Sequence, residues 1–152
     1  MGIQELVKRF FVENGWKYST PPDKPIFSLG LSGENGKFQC FVVIDEQERL
    51  ILVHSICGFN TPKDRRQGMA ELLTRINFVL KVGNFEMDFE DGEIRFKTSV
   101  RIADSDASIE LIEHLILPNI LTIDKALPIL MEMIYGTASP ESLCEKFKAS
   151  ND

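Results

Sequence analysis

The chain has 152 residues, 43% of them hydrophobic, with 23 acidic against 17 basic side chains and a formal net charge of −6. That length suits one globular domain, residues 1–152, burying about two thirds of its unfolded surface. The acidic balance repels phosphate backbones and anionic lipid, which excludes a general nucleic-acid role. Cys40, Cys57 and Cys144 are an odd number with no C-x-x-C pair, so they read as reduced, structural thiols of a cytoplasmic protein.

The opening "MGIQELVKRFF" has no long apolar export segment, and Leu6 stands where a myristoylation signal wants Ser or Thr. Ile3, Leu6, Val7, Phe10 and Phe11 recur at helical spacing. With mixed flanking charges they predict a helix packed on a core rather than on a membrane. The Pro-rich "STPPDKP" then leads into a hairpin turning at Asn35-Gly36. Its expected pairs are Glu34 with Lys37, Leu31 with Cys40, Leu29 with Val42 and Phe27 with Ile44. A third strand over 49–57 follows, with Leu50, Leu52, His54 and Ile56 on its predicted core face.

"TPKD" predicts a helix start with Thr61 as N-cap, Pro62 at the first position and Asp64 at the third. Met69, Leu72, Leu73, Ile76, Val79 and Leu80 form its stripe, and Gly83 ends it. The basic trio Lys63, Arg65 and Arg66 reads as its solvated first turn. "FEMDFEDGEIRFK", residues 85 to 97, holds five carboxylates and predicts a second hairpin turning at Asp91-Gly92, with Glu86 opposite Lys97 and Asp88 opposite Arg95. In that register the acids form a wet sheet face. A calcium loop with Gly92 at its sixth position would need an acid at Met87 and Glu at Thr98, so no metal site is expected.

Asp104, Ser105 or Asp106 is the expected cap of a helical region from about 107 to 135, which Pro118 and Pro128 should split or kink. The acids, His114 and Pro118 in "IELIEHLILPNILTI" argue against a clean membrane span. "SPES", with Ser139 capping, opens a short last helix over 139–148. The predicted order is αβββαββα. It describes an α+β fold of one or two antiparallel sheets with helices on one face, that of Phe27, Leu29, Cys40, Val42, Leu50 and Leu52.

From "NFVLKVGNFEMDFEDGEIRFKTSV" through "DKALPILMEMIYGTASPESL" the chain resembles the YbjN-like family, described as bacterial sensory-transduction regulators, across roughly residues 5 to 147. The shared features are Asn77 of "RIN", the glycine step into the second hairpin and the "YG…SPE" ending. The resemblance implies a type III secretion chaperone-like fold and regulation through protein contacts. It supplies no catalytic residue.

Nothing in the residues adds one. Glu110 and His114 could touch one helical turn apart, but zinc needs three or four ligands in register. His54 and Cys57, three apart on a strand, point to opposite faces. No glycine-rich phosphate loop and no cofactor signature occur. Asn77, on the apolar side of its helix, is expected to bond backbone, with ligand contact as the other reading. Phe41, Val43, Ile51 and Val53 should alternate with the core set and form an apolar outer face. Such a face requires a helix, a second protomer or a client over it. The expected function is a non-enzymatic adaptor or chaperone-like module, acting as a homodimer on a protein client or regulator. The alternative is a small-molecule sensor with a pocket between helices and sheet.

Overall fold

The structure is a computed structural model that describes residues 2–103 and 106–150. Its elements are α1 (Ile3–Glu13), β1 (Ile26–Ser32), β2 (Lys37–Asp45), β3 (Leu50–Asn60), a 3-10 turn (Lys63–Arg65), α2 (Arg66–Val79), β4 (Asn84–Met87), β5 (Glu93–Arg101), α3 (Ile109–Tyr135) and α4 (Pro140–Ala149). The strands make one antiparallel sheet in the order β1-β2-β3-β5-β4. This is the α+β order the sequence predicts.

Each helix buries the stripe its spacing dictates. Ile3, Leu6, Val7, Phe10 and Phe11 of α1 are all buried, and Gly15 takes the left-handed conformation (φ 69°) that lets Trp16 N–H bond back to Phe11 O at 2.8 Å. That stripe packs with Phe27, Leu29, Cys40, Val42, Ile51, Val53 and the first turns of α3 into one hydrophobic cluster. A second cluster joins α2, α4, the later turns of α3 and Phe85, Ile94 and Phe96 of the β4–β5 hairpin. α3 belongs to both. At 27 residues it spans about 40 Å, and it is apolar and long enough to cross a membrane, yet half of its most apolar window is buried within the fold.

Pro118 and Pro128 lie inside α3, which is assigned as one helix rather than two. The caps proposed at Asp104 and Ser105 fall outside the described residues. Ser108 is the N-cap, accepting from Leu111 N–H at 3.1 Å. Ser139 caps α4 as expected, accepting from Ser142 N–H at 3.1 Å. Thr61 does not cap α2. It is buried against the β4–β5 loop, where its N–H bonds Gly92 O at 2.8 Å, and the chain makes the 3-10 turn before α2 begins.

Both hairpins pair two residues away from the expected register. Leu31 faces Phe38, Leu29 faces Cys40 and Phe27 faces Val42, so the turn is a four-residue loop, 33–36. The Asp124 carboxylate on α3 holds that loop, accepting from Glu34 N–H at 3.0 Å and Asn35 N–H at 2.9 Å. In the second hairpin Met87 faces Ile94, Glu86 faces Arg95 and Asn84 faces Lys97. Its loop is stitched by Asp88 and Asp91, which accept from Glu90 N–H and Glu93 N–H, and docked by Arg66 on the Phe89 carbonyl. Arg66 is therefore a loop anchor rather than part of a solvated basic turn.

A two-residue shift keeps every side chain on its expected face, whereas β3 is out by one and inverts. Asp45 pairs with Leu50 across a loop that ends in Arg49 at φ 57°, with Asp45 Oδ1 accepting from Glu48 N–H. Ile51, Val53, Ser55 and Cys57 consequently face the helices, and Leu50, Leu52, His54 and Ile56 do not. Ile51 and Val53, expected on the outer face, are at 0% exposure in the core.

Candidate functional site

The inner face is closed by a polar junction. Asn119 of α3, fully buried, donates from Nδ2 to Val53 O at 3.0 Å and Phe96 O at 3.1 Å, and its Oδ1 accepts from Ser55 Oγ at 2.5 Å. Thr98 Oγ1 in turn donates to Leu115 O at 2.8 Å. Every group of this network finds a partner, as burial demands, so it locks α3 across β3 and β5 and leaves nothing for a ligand.

The outer face is open. Strand register lays it out in rows, the first reading Ile26, Val43, Leu52, Ser99 and the second Ser28, Phe41, His54, Lys97. The third runs Gly30, Gln39, Ile56, Arg95 and on to Glu86 of β4. Phe41, Val43, Leu52 and Ile56 are half-buried by their strand neighbours and join neither hydrophobic cluster. Of the four interface residues expected from the sequence, Phe41 and Val43 are on this face and Ile51 and Val53 are not. Leu52 and Ile56 stand in their place.

Charges border the apolar rows on the β4–β5 side. Glu86 bridges Arg95, Nε to Oε1 at 2.6 Å, and Lys97, Nζ to Oε2 at 2.7 Å. Burial alone would raise the Glu86 carboxyl, but the hydrogen bonds and charges of Lys97 and Arg95 bring it down to about 2. His54, between Phe41 and Lys97, has its Nε2 buried without a partner. Burial, with Arg95 and Lys97 nearby, lowers its pKa against the pull of Glu86, which favours the neutral ring.

The remaining candidates have other employment. Asn77 accepts from Phe85 N–H at 2.7 Å and donates to Phe85 O at 3.0 Å, tying the end of α2 to β4 with the amide committed to backbone. Its ligand-contact reading is not supported by this geometry. Cys57 points inward while His54 points outward, and burial pushes the Cys57 thiol up to about 12 and the Cys40 thiol up to about 11 against a hydrogen bond with Ser55. Neither is a ready nucleophile. Glu110 and His114 are exposed on α3. Among the described residues no three His, Cys, Asp or Glu side chains converge as a metal group would require.

Sequence reasoning missed Asn119 and Asp124, both buried on α3. The available signal was a polar side chain at a buried helical position, of the kind that singled out Asn77.

A family model, YbjN, "Putative bacterial sensory transduction regulator", matches residues 4–117. Among solved structures the chain is similar to "Crystal structure of YbjN, a putative transcription regulator from E. coli", at 11% identity and TM-score 0.57, covering 99% of this chain and 92% of that one. It also matches "Crystal Structure of the ExsC-ExsE Complex", at 14% identity and TM-score 0.48, covering 80% of this chain and 87% of that one. No curated protein matches the sequence. With the family pattern running from α1 through the whole sheet and into α3, the chain belongs to the YbjN family.

Proposed function

We propose that this YbjN-family chain is a non-enzymatic regulatory module that binds protein through the outer face of its sheet, either a second copy of itself or a client. The observation that carries the reading is the patch of Phe41, Val43, Leu52 and Ile56 on the two adjacent strands β2 and β3, outside both hydrophobic clusters. One face of an antiparallel sheet is ordinarily polar when it meets water, so contiguous apolar residues there favour a covering surface. Strands about 4.8 Å apart and rows about 6.6 Å apart give this two-strand, three-row centre an area of about 200 Å² per partner. That is well below the roughly 800 Å² per partner of a standard specific interface, which suits a reversible regulator better than an obligate dimer.

The charged border of Glu86, Arg95 and Lys97 would set register and orientation more than affinity. Burial of the Cys40, Cys57 and Cys144 thiols, all unpaired, supports a reducing, cytoplasmic setting. The sharing of α3 between the two clusters supports treating residues 1–152 as one unit.

The test is a single charge at the centre of the face. Val43→Glu and Phe41→Glu should stay folded by circular dichroism, and should lower the mass seen by sedimentation velocity or abolish capture of a protein partner. Folded variants with unchanged mass and unchanged partners would reject the reading.

A further inference from the structure

On the helix side of the sheet, away from the proposed protein face, a cleft of about 580 Å³ opens between the β1–β2 loop, α3 and the segment after α1. Its apolar walls are Trp16, Leu31, Phe38, Ile120 and Leu121. Leu121 is 64% exposed there, one of three exposed apolar residues of α3 with Met131 and Tyr135, and of the three it is the one that lines the cleft. Trp16 is held in place by its N–H bond to Phe11 O and by an edge contact with Phe10 at 5.5 Å, yet it remains half-exposed to the cleft. A preformed apolar space of this size, with a few convergent polar groups, is the usual form of a small-molecule site.

The polar group at this cleft is unusual. Asp124, only 9% exposed, lines it beside Glu34. Each Asp124 oxygen accepts one loop N–H, and a carboxylate has about four lone-pair positions in all. The basic residue of the lining, Lys125, has its Nζ over the Phe147 ring, 5.1 Å from the centroid. A cleft lined by both an indole and a nearly buried carboxylate suits a protonated nitrogen on an apolar body, the charge met by the carboxylate and the body by the aromatic wall.

We propose that this cleft binds a small organic amine, a protonated nitrogen on an aromatic or otherwise apolar body, with the nitrogen at Asp124 and the body against Trp16, Ile120 and Leu121. The site is independent of the outer sheet face, and either assignment can fail alone.

Trp16 is the only tryptophan of the chain, so its fluorescence reports on this cleft. Phenethylamine, 3-phenylpropionate and phenethyl alcohol, which share one body and differ in charge, should be titrated into the full-length protein at fixed ionic strength. Saturable change in Trp16 emission with phenethylamine, at least tenfold weaker with the alcohol and the anion, is expected. Leu121→Arg, at an exposed position that should tolerate it, is expected to weaken phenethylamine at least tenfold. Asp124→Asn should remove the preference for the amine over the alcohol, provided the far-UV spectrum shows it folded, and Leu121→Arg decides the matter if it is not. No saturable response to phenethylamine, equal response to the anion, or an unchanged response in folded Leu121→Arg would overturn the proposal.

Discussion

Asn119 and Val53 meet where α3 crosses the sheet, the Asn119 amide donating to the Val53 carbonyl at 3.0 Å with both residues at 0% exposure. The same side chain serves Phe96 O, Thr98 Oγ1 and Ser55 Oγ, so its removal strands several polar groups in a dry interface. Each buried group left unsatisfied costs about 1–3 kcal/mol. Asn119→Ala should therefore cost about 3 kcal/mol or more, and Ser55→Ala, which removes one partner only, about 1 kcal/mol. Urea denaturation monitored by circular dichroism would measure both. Equal small losses would mean that the network does not lock α3 to the sheet.

Glu86 gives the hairpin an acid-sensitive element. Its folded pKa, about 2, lies below its ordinary value of 4.5. Stability from the depressed carboxyl is present above the unfolded value and is lost as pH falls from about 4.5 toward about 2. Its partners are partly exposed, Arg95 at 42%, so solvent screening reduces the contribution to about 1 kcal/mol. Glu86→Gln should lower stability by about that amount at pH 7 and by nearly nothing at pH 2. A deficit that persists undiminished at pH 2 would point to packing rather than charge.

Helix faces were legible from spacing, because a 3.6-residue period with one apolar stripe leaves one solution. Ile3, Leu6, Val7, Phe10 and Phe11 of α1 and Met69, Leu72, Leu73 and Ile76 of α2 are buried as their pattern requires. The hairpin turns were legible only to within a register step, because long-range contacts decide them. Asp124 stretches the first loop from two residues to four, and Thr61 with Arg66 captures the second. β3 was illegible in phase. Leu50, Leu52 and Ile56 on one face and Ile51, Val53 and Cys57 on the other are equally apolar, so hydrophobicity cannot choose, and one residue in the β2–β3 loop chooses instead. Asn119 was hidden because its partners are backbone carbonyls 23 and 66 residues away.

Ile51 and Leu52 test that phase directly, since they are adjacent in sequence and opposed in space. Ile51 is at 0% exposure against the helices, while Leu52 lies half-buried on the outer face. Truncating a buried isoleucine to alanine costs about 2–5 kcal/mol through lost transfer energy and a cavity. Ile51→Ala should fall in that range, and Leu52→Ala should cost about 1 kcal/mol or less in the isolated protein. A reversed order in thermal or urea unfolding would restore the opposite phase.

Asp124 and Gly33 should behave as one unit. A Cβ on Gly33 would lie 2.1 Å from Asp124 Oδ1, and the carboxylate cannot retreat without giving up Glu34 N–H or Asn35 N–H. Hydrogen bonds to a charged group contribute about 1.5–3 kcal/mol, and this loop is only part-buried, so Asp124→Ala should cost about 1–2 kcal/mol. Gly33→Ala should cost a similar amount by displacing the same carboxylate. Once Asp124 is alanine the obstruction at Gly33 is gone, so the double variant should be about as stable as Asp124→Ala alone rather than the sum of the two losses. Unfolding midpoints for the four members of this cycle, with hydrogen exchange at the Glu34 and Asn35 amides, measure the coupling. Additive losses would mean that the glycine serves the loop's backbone conformation, not the approach of the carboxylate.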